Sequence, residues 1–413
     1  MVETLTGLIL SRQWLDQDGG QALIYWISSQ GLPARIEISP QESVFFISEK
    51  YLTRMQMILK GHLEWRHAPL KLNCFSENKD PAVACYFRNQ KDLGFARAQL
   101  QKNHIKAFES DIRPTDRYLM ERFIRGVVEV TGECIQRPGY LDFKNPQLRP
   151  SAHKTQTAGL VGLSVVSLDI ETSVTRGVIL SIAIHTDSVD QVFMVGESRP
   201  TTLSYLCYQP DERSLLVEFI HCFSDLDPDV IIGWSVVGFD LKYIQDRCDA
   251  HKIDFAIGRA GSRLSWRTVE RGQTRHYVVV PGRVVLDGIE LLRTATYSFE
   301  SFSLENVSRE LLNRGKLVHD VDSRALEIEV MHQQDQDSLA RYNLEDCVLV
   351  SEIFKKTNLI AFAIERSCLT GLELDRQGGS VAAFDFLYLP RLHRAGFIAP
   401  VVDEDVNQGS PGG

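Results

Sequence analysis

Apolar and polar positions alternate over short distances in the first part of the chain. Apolar runs at residues 7–10, 22–26 and 43–47 are separated by polar stretches. Such short runs are typical of β-strands, whereas the stretch near residues 91–102 has helical spacing. The pattern predicts a small β-rich N-terminal domain over residues 1–150.

Beyond residue 150 the pattern changes, because apolar runs now alternate with helical stretches. Strands are predicted at 163–171, 178–186, 191–195 and 229–234, and helices at 213–224, 240–251 and about 337–357. This order indicates an α/β region (α+β for the whole chain) in which a ribonuclease H-like mixed sheet carries flanking helices over residues 151–357. Residues 358–413 are predicted to form a helical segment, interrupted or kinked at Pro390, and a tail.

Three acidic segments occur in a fixed order in the α/β region, at residues 168–172, 238–240 and 342–346. They contain Asp169, Glu171, Asp240, Tyr342 and Asp346. Two divalent ions about 3.5–4 Å apart need several converging carboxylates, because the ions stabilise both the attacking and the leaving oxygen of a phosphodiester. The segments therefore predict a two-metal nuclease site, and the alternative is three unrelated solvated carboxylates.

The local context of each segment favours the site. Asp169 and Glu171 are two apart on a predicted strand and share one face, while their apolar neighbours pack on the other. Asp240 opens a predicted helix, where an N-cap role is the alternative. Tyr342 and Asp346 are four apart on one helical face, and a packing role is the alternative for the tyrosine.

With these motifs the chain resembles the N-terminal part of a family B DNA polymerase, of the bacterial polymerase II branch. The resemblance includes residues 229–234, 302–312 and 378–384 and covers nearly the whole chain. It implies a 3′→5′ proofreading exonuclease for replication or repair, in which Asp169, Glu171, Asp240 and Asp346 hold two Mg²⁺ or Mn²⁺ ions. Tyr342 would orient the attacking water.

Two further residues are expected to bind substrate. The family has an asparagine shortly before the aspartate of the second motif, and this chain has Ser235 there. A serine hydroxyl offers fewer hydrogen bonds than an amide, so substrate positioning is where this chain departs from the pattern. Phe239, next to Asp240, is the second substrate-binding candidate.

The two palm motifs of a polymerase site are absent from the sequence, so we expect no polymerase activity and a chain truncated before the palm. Residues 1–150 hold 20 Lys and Arg against 17 Asp and Glu, a net charge of +3, and residues 151–413 carry −12. We therefore expect modest, salt-sensitive affinity for DNA, with the absent palm, fingers and thumb as partners.

Composition bears on membrane spans, cysteine metal sites and disulfides. No apolar stretch is long enough to span a membrane, and the eight scattered cysteines show no metal-ligand or disulfide pattern, so a cytoplasmic monomer is expected. The expected substrate is a single-stranded or frayed DNA 3′ end. An RNA-trimming nuclease of the same fold and a catalytically idle nucleic-acid-binding fragment remain the alternatives.

Overall fold

The N-terminal strands form two sheets in the computed structural model, which describes residues 2–17, 19–76, 78–151, 162–271, 273–314 and 324–401. The elements of this part are β1 (Val2–Gln17), β2 (Gly20–Ser29), β3 (Leu32–Gln41), β4 (Ser43–Ser48), α1 (Leu52–Leu59), β5 (Trp65–Cys74), β6 (Pro81–Phe87), α2 (Gln90–Lys102), α3 (Pro114–Glu121), β7 (Val127–Arg137), β8 (Tyr140–Lys144) and β9 (Gln147–Pro150). The β-rich prediction for this part agrees with these elements.

The larger N-terminal sheet closes into a barrel. Its order is β1-β2-β3-β8-β7-β9, and β1 also pairs with β7, so β1, β2, β3, β8 and β7 form a closed ring. Closure leaves few unpaired strand edges. The interior is filled by Tyr25, Ile27, Ile36 and Phe143, each at most 1% exposed.

A second set of elements forms the α/β region. They are β10 (Val165–Ser173), β11 (Val178–His185), β12 (Asp190–Val195), β13 (Leu206–Gln209), α4 (Glu212–Leu226), β14 (Val230–Gly233), α5 (Asp240–Ala250), β15 (Ser265–Arg271), β16 (Gln273–Val279), β17 (Val284–Asp287), α6 (Gly288–Thr294), α7 (Leu304–Leu312), α8 (Arg324–Gln334) and α9 (Gln336–Thr357). The elements predicted from apolar periodicity are present, with ends displaced by about two residues.

The sheet of this region is mixed, as predicted. Its order is β13-β12-β11-β10-β14-β17, in which β10 pairs antiparallel with β11 and parallel with β14. On one face β10 packs against α4 and α5 through Leu168 and Ile170. On the other face β11 and β12 pack against α9. The central strand β10 therefore lies between helices on both sides, which places its polar residues next to α9.

The C-terminal elements are α10 (Leu359–Thr370), α11 (Ser380–Arg394) and the short β18 (Phe397–Ile398). They join the two parts of the chain, since α10 contributes to the core beside β14 and β17 while β18 pairs in parallel with β5. Phe386 and Leu389 of α11 pack into the barrel core.

Of the two alternatives predicted at Pro390, the interruption is wrong, because α11 continues through this residue. A kink at Pro390 stays a prediction, since a proline removes one backbone donor from a helix. The predicted tail from residue 402 lies outside the described residues. None of the described helices is long and apolar enough to cross a membrane.

Candidate metal centre

Asp169 and Glu171 lie on β10 and face α9. Their neighbours Leu168 and Ile170 are 1% and 4% exposed in the core on the opposite face, as the two-residue period of a strand requires. Glu171 is buried and Asp169 is part-buried. The β-branched run that forms the strand therefore also fixes the direction of both carboxylates.

Asp346 reaches the same point from α9. One carboxylate oxygen from each of Asp169, Glu171 and Asp346 lies within 4.8 Å of the others. Mg²⁺ binds oxygen ligands at about 2.0–2.1 Å, so two ligands of one ion lie at most about 4.2 Å apart, and these three oxygens can share one ion after small side-chain movements. An all-carboxylate set of this kind suits hard cations such as Mg²⁺ or Mn²⁺.

Asp240 is the fourth predicted carboxylate, and it is not one of the three whose oxygens lie within 4.8 Å of one another. Its side chain is 2% exposed, and its Oδ1 accepts a hydrogen bond from the backbone N–H of Ile170 at 3.1 Å. Ile170 lies between Asp169 and Glu171, so this bond ties the second acidic segment to the first. Burial, and then the negative charge of Asp169, raises the pKa of Asp240 well above its ordinary value. A divalent ion between Asp169 and Asp240 would relieve that repulsion.

The N-cap alternative for Asp240 is wrong. The N-cap of α5 is Phe239, which makes no side-chain capping bond, and Asp240 is the first helical residue. Its carboxylate accepts hydrogen bonds from its own backbone N–H and from the N–H of Ile170 on the strand, and among the described residues none comes from the N2 or N3 position of the helix.

Tyr342 lies one turn before Asp346 on α9, as its spacing predicts. Its side chain is 1% exposed and belongs to the apolar cluster that contains Leu180, Met194 and Leu339. The ring thus has a packing role in the core, and a role for its hydroxyl in catalysis stays a prediction.

Ser235 and Phe239 lie in the loop between β14 and α5, just before Asp240 along the chain. Both residues are exposed, whereas Asp240 is buried. The N–H of Phe239 donates to the carbonyl of Ser235 at 2.9 Å, and Ser235 has a φ of 63°. This left-handed conformation is unfavourable for serine and is tolerated better by asparagine or glycine. Phe239 is 46% exposed, so its ring is available to a ligand.

Asp287 is the N-cap of α6. Its Oδ1 accepts from the backbone N–H groups of Ile289 at 3.0 Å and Glu290 at 3.3 Å, at the start of α6. Burial raises its pKa to about 6. The Asp287 carboxylate therefore caps α6 and does not belong to the group of Asp169, Glu171 and Asp346.

Asn343 is a residue of the site that the sequence analysis missed. Its Nδ2 donates to Oδ2 of Asp169 at 2.7 Å, and its Oδ1 accepts from the hydroxyl of Ser181 at 2.8 Å. The available signal was an amide between Leu339 and Cys347 on the apolar stripe of α9, where a polar side chain needs a buried partner.

Known proteins that are similar to this chain are DNA polymerases. Residues 105–307 match the family described as DNA polymerase family B, exonuclease domain. That match ends before Tyr342 and Asp346. DNA polymerase II of Escherichia coli (strain K12) is 37% identical over 410 residues, which are 98% of this chain and 51% of that protein.

A more distant relative and a solved structure are also similar to this chain. The DNA polymerase delta catalytic subunit of Caenorhabditis elegans is 25% identical over 281 residues, 61% of this chain and 26% of that protein. The structure of the family B DNA polymerase from Pyrobaculum calidifontis superposes with a TM-score of 0.75 at 17% identity, covering 97% of this chain and 52% of that one. The chain thus spans about half the length of the E. coli relative and of this solved structure. The part that aligns with the C. elegans relative covers about a quarter of that protein.

Proposed function

We propose that the chain removes nucleotides one at a time from DNA 3′ ends, as a proofreading nuclease does, because residues 105–307 match the exonuclease domain of DNA polymerase family B. The observation that carries the proposal is the convergence of Asp169, Glu171 and Asp346 within 4.8 Å, with Asp240 bonded to the backbone between the first two.

The four carboxylates would hold two Mg²⁺ or Mn²⁺ ions. When bound, such ions lower the pKa of the attacking water and stabilise the leaving oxygen. The strand and α9 hold Asp169, Glu171 and Asp346 in place before substrate arrives, and the bond from Ile170 fixes Asp240. Tyr342, buried one turn from Asp346, would hold the water in line. The product would be a nucleoside 5′-monophosphate.

Phe239 and Ser235 would position the terminal nucleotide. The half-exposed ring of Phe239 is next to the carboxylates along the chain, and stacking of a base on an aromatic ring contributes about 1–3 kcal/mol in single-strand binding. Ser235 lies in the same loop, and its backbone carbonyl accepts the N–H of Phe239. Together they would select an unpaired end, since a base must leave its duplex to reach such a ring.

The rest of a polymerase would supply most of the grip on DNA. Residues 151–413 carry a net charge of −12, which disfavours binding to phosphates, so we infer that palm, fingers and thumb regions provide the basic surface. All eight cysteines are free, as is usual in a reducing cytoplasm, where we place the enzyme as a monomer.

The test is digestion of a single-stranded DNA oligonucleotide labelled at its 5′ end. We expect a ladder that shortens stepwise from the 3′ end in Mg²⁺ and no change in EDTA. An Asp254→Asn variant, whose carboxylate is 69% exposed and pairs with Arg263, serves as the matched control and should digest like the parent.

Two outcomes would contradict the proposal. A DNA oligonucleotide that stays undigested in both Mg²⁺ and Mn²⁺ would contradict the nuclease, and binding of that oligonucleotide would favour an idle binding fragment. Faster digestion of an RNA oligonucleotide of the same sequence would favour an RNA-trimming enzyme, which would need contacts to the 2′-hydroxyl.

A further inference from the structure

Asn343 is placed where it controls the geometry of Asp169. We propose that Asn343, held by Ser181, is a positioning residue that fixes the Asp169 carboxylate for metal binding. This inference rests on the proposed metal centre and goes beyond it, because Asn343 is not a ligand.

The first observation is the location of Asn343 on α9. Its side chain is fully buried, and the residues one turn before and after it, Leu339 and Cys347, are also fully buried. An amide placed in such a stripe is costly unless both its donor and its acceptor are used. Here both are used, by Asp169 and Ser181.

The chemistry of the partners fixes which way the amide points. An ionised carboxylate only accepts hydrogen bonds, so the atom 2.7 Å from Oδ2 of Asp169 must be the Nδ2 donor. The reversed amide would bring two acceptors together. The Ser181 hydroxyl then donates to Oδ1 at 2.8 Å, which holds the amide in this orientation.

Ser181 is itself tied to the site. It lies on β11 directly opposite Glu171 in the antiparallel register with β10, and it is fully buried. The strand pair that carries Asp169 and Glu171 therefore also orients the amide that arrives from α9. This connection joins three elements at one carboxylate.

A neutral donor suits a metal ligand better than a cation would. The amide bonds one oxygen of Asp169 without neutralising the negative charge that attracts an ion. The terminal torsion of an aspartate is broad, so a hydrogen bond of this kind narrows the orientations that the carboxylate takes before an ion binds.

The test measures Mn²⁺ affinity of the full chain by electron paramagnetic resonance, without DNA. Residues that orient metal ligands typically change metal affinity by about 10–100-fold when mutated, so Asn343→Ala should weaken Mn²⁺ binding by that factor. Ser181→Ala, which loses one hydrogen bond, should weaken it by about 2–13-fold. The matched control is Asn306→Ala, since Asn306 also donates through Nδ2 to a carboxylate, that of Glu310, but on α7. Its Mn²⁺ affinity should equal that of the parent.

Binding of an oligonucleotide in EDTA separates positioning from general damage. We expect unchanged DNA affinity in all three variants and recovery of digestion by Asn343→Ala at saturating Mn²⁺. A parallel loss of DNA affinity in EDTA, or an unchanged Mn²⁺ dissociation constant, would overturn the proposal.

Two further outcomes are also decisive. If Asn343→Ala does not fold, as judged by its circular dichroism melt, Ser181→Ala decides, and an unchanged Mn²⁺ affinity in that variant rejects the role. If the parent protein binds no Mn²⁺, or if its Mn²⁺ binding is unchanged by Asp346→Ala, the metal centre itself is wrong. An intact parent site with an unaffected Asn343→Ala rejects only the present inference.

Discussion

Replacing Asp240 separates its charge from its hydrogen bond. Asp240→Asn removes the buried charge beside Asp169 and keeps Oδ1 as the acceptor for the N–H of Ile170, whereas Asp240→Ala removes both. Burial and the charge of Asp169 raise the pKa of Asp240, so ionised Asp240 destabilises the metal-free fold. In EDTA at pH 8 we therefore expect Asp240→Asn to melt above the parent protein.

The alanine variant differs from the asparagine variant by a buried, unsatisfied donor. Ile170 is 4% exposed, and leaving its N–H without a partner costs about 1–3 kcal/mol. For a domain of about 150–250 residues, each kcal/mol shifts the melting temperature by about 2–4 °C. Asp240→Asn should therefore melt about 2–12 °C above Asp240→Ala. Neither variant should digest DNA.

The pH dependence follows from the direction of the pKa shift. The unfolded chain holds Asp240 near its ordinary pKa, and the folded chain binds the proton more tightly, so the parent gains stability as pH falls through the raised folded pKa. The advantage of Asp240→Asn over the parent should be largest at pH 8 and should shrink toward pH 4.

The assay is differential scanning calorimetry in EDTA over that pH range. An asparagine variant that melts no higher than the alanine variant would refute the role of the Ile170 bond. An advantage over the parent that does not change with pH would refute the buried charge.

The other predictions concern single positions in or near the site. Asp169→Ala should lower metal-dependent digestion by at least about a hundredfold in a gel assay, since a shared metal ligand has no substitute, and near-parental rates would reject the assignment. Ser235→Asn should speed digestion by about 2–13-fold if an amide there adds one hydrogen bond to substrate. Ser235→Gly is its control, because it relieves the same left-handed backbone without adding an amide, and equal gains in both variants would attribute the effect to the backbone. Asp287→Ala should destabilise the protein by about 1 kcal/mol, because α6 loses its cap, and should change digestion little. Asp287→Asn should keep the cap. An Asp287→Asn variant without nuclease activity would place Asp287 among the metal ligands. Because burial raises the pKa of Asp287 to about 6, its carboxylate destabilises the fold as pH rises through 6, and Asp287→Asn should remove that part of the pH dependence of melting.

Local patterns were enough to predict the elements that carry the candidate site. The β-branched run before Asp169 predicted the strand β10, and helical spacing predicted α9 to within one residue at its start. These are features of short stretches of sequence, whose physical causes act within a few residues.

Features that depend on distant contacts could not be predicted. The Asp240 carboxylate bonds a backbone N–H 70 residues away, and this bond was not predicted. The N-cap role was the alternative considered for Asp240, because it depends only on neighbouring residues. The partner of Asn343 is 174 residues away, and the pairing of β18 with β5 joins opposite ends of the described chain. No periodicity reports such pairs, because they arise only when sheets and helices pack.

The most direct test of the metal centre is anomalous diffraction at the manganese edge from crystals soaked in Mn²⁺. We expect two peaks about 3.5–4 Å apart, one among Asp169, Glu171 and Asp346 and one between Asp169 and Asp240. Loss of both peaks in Asp169→Ala crystals would support the shared role of that carboxylate. Manganese bound only elsewhere on the protein, with no density among these four carboxylates, would contradict the proposed metal centre.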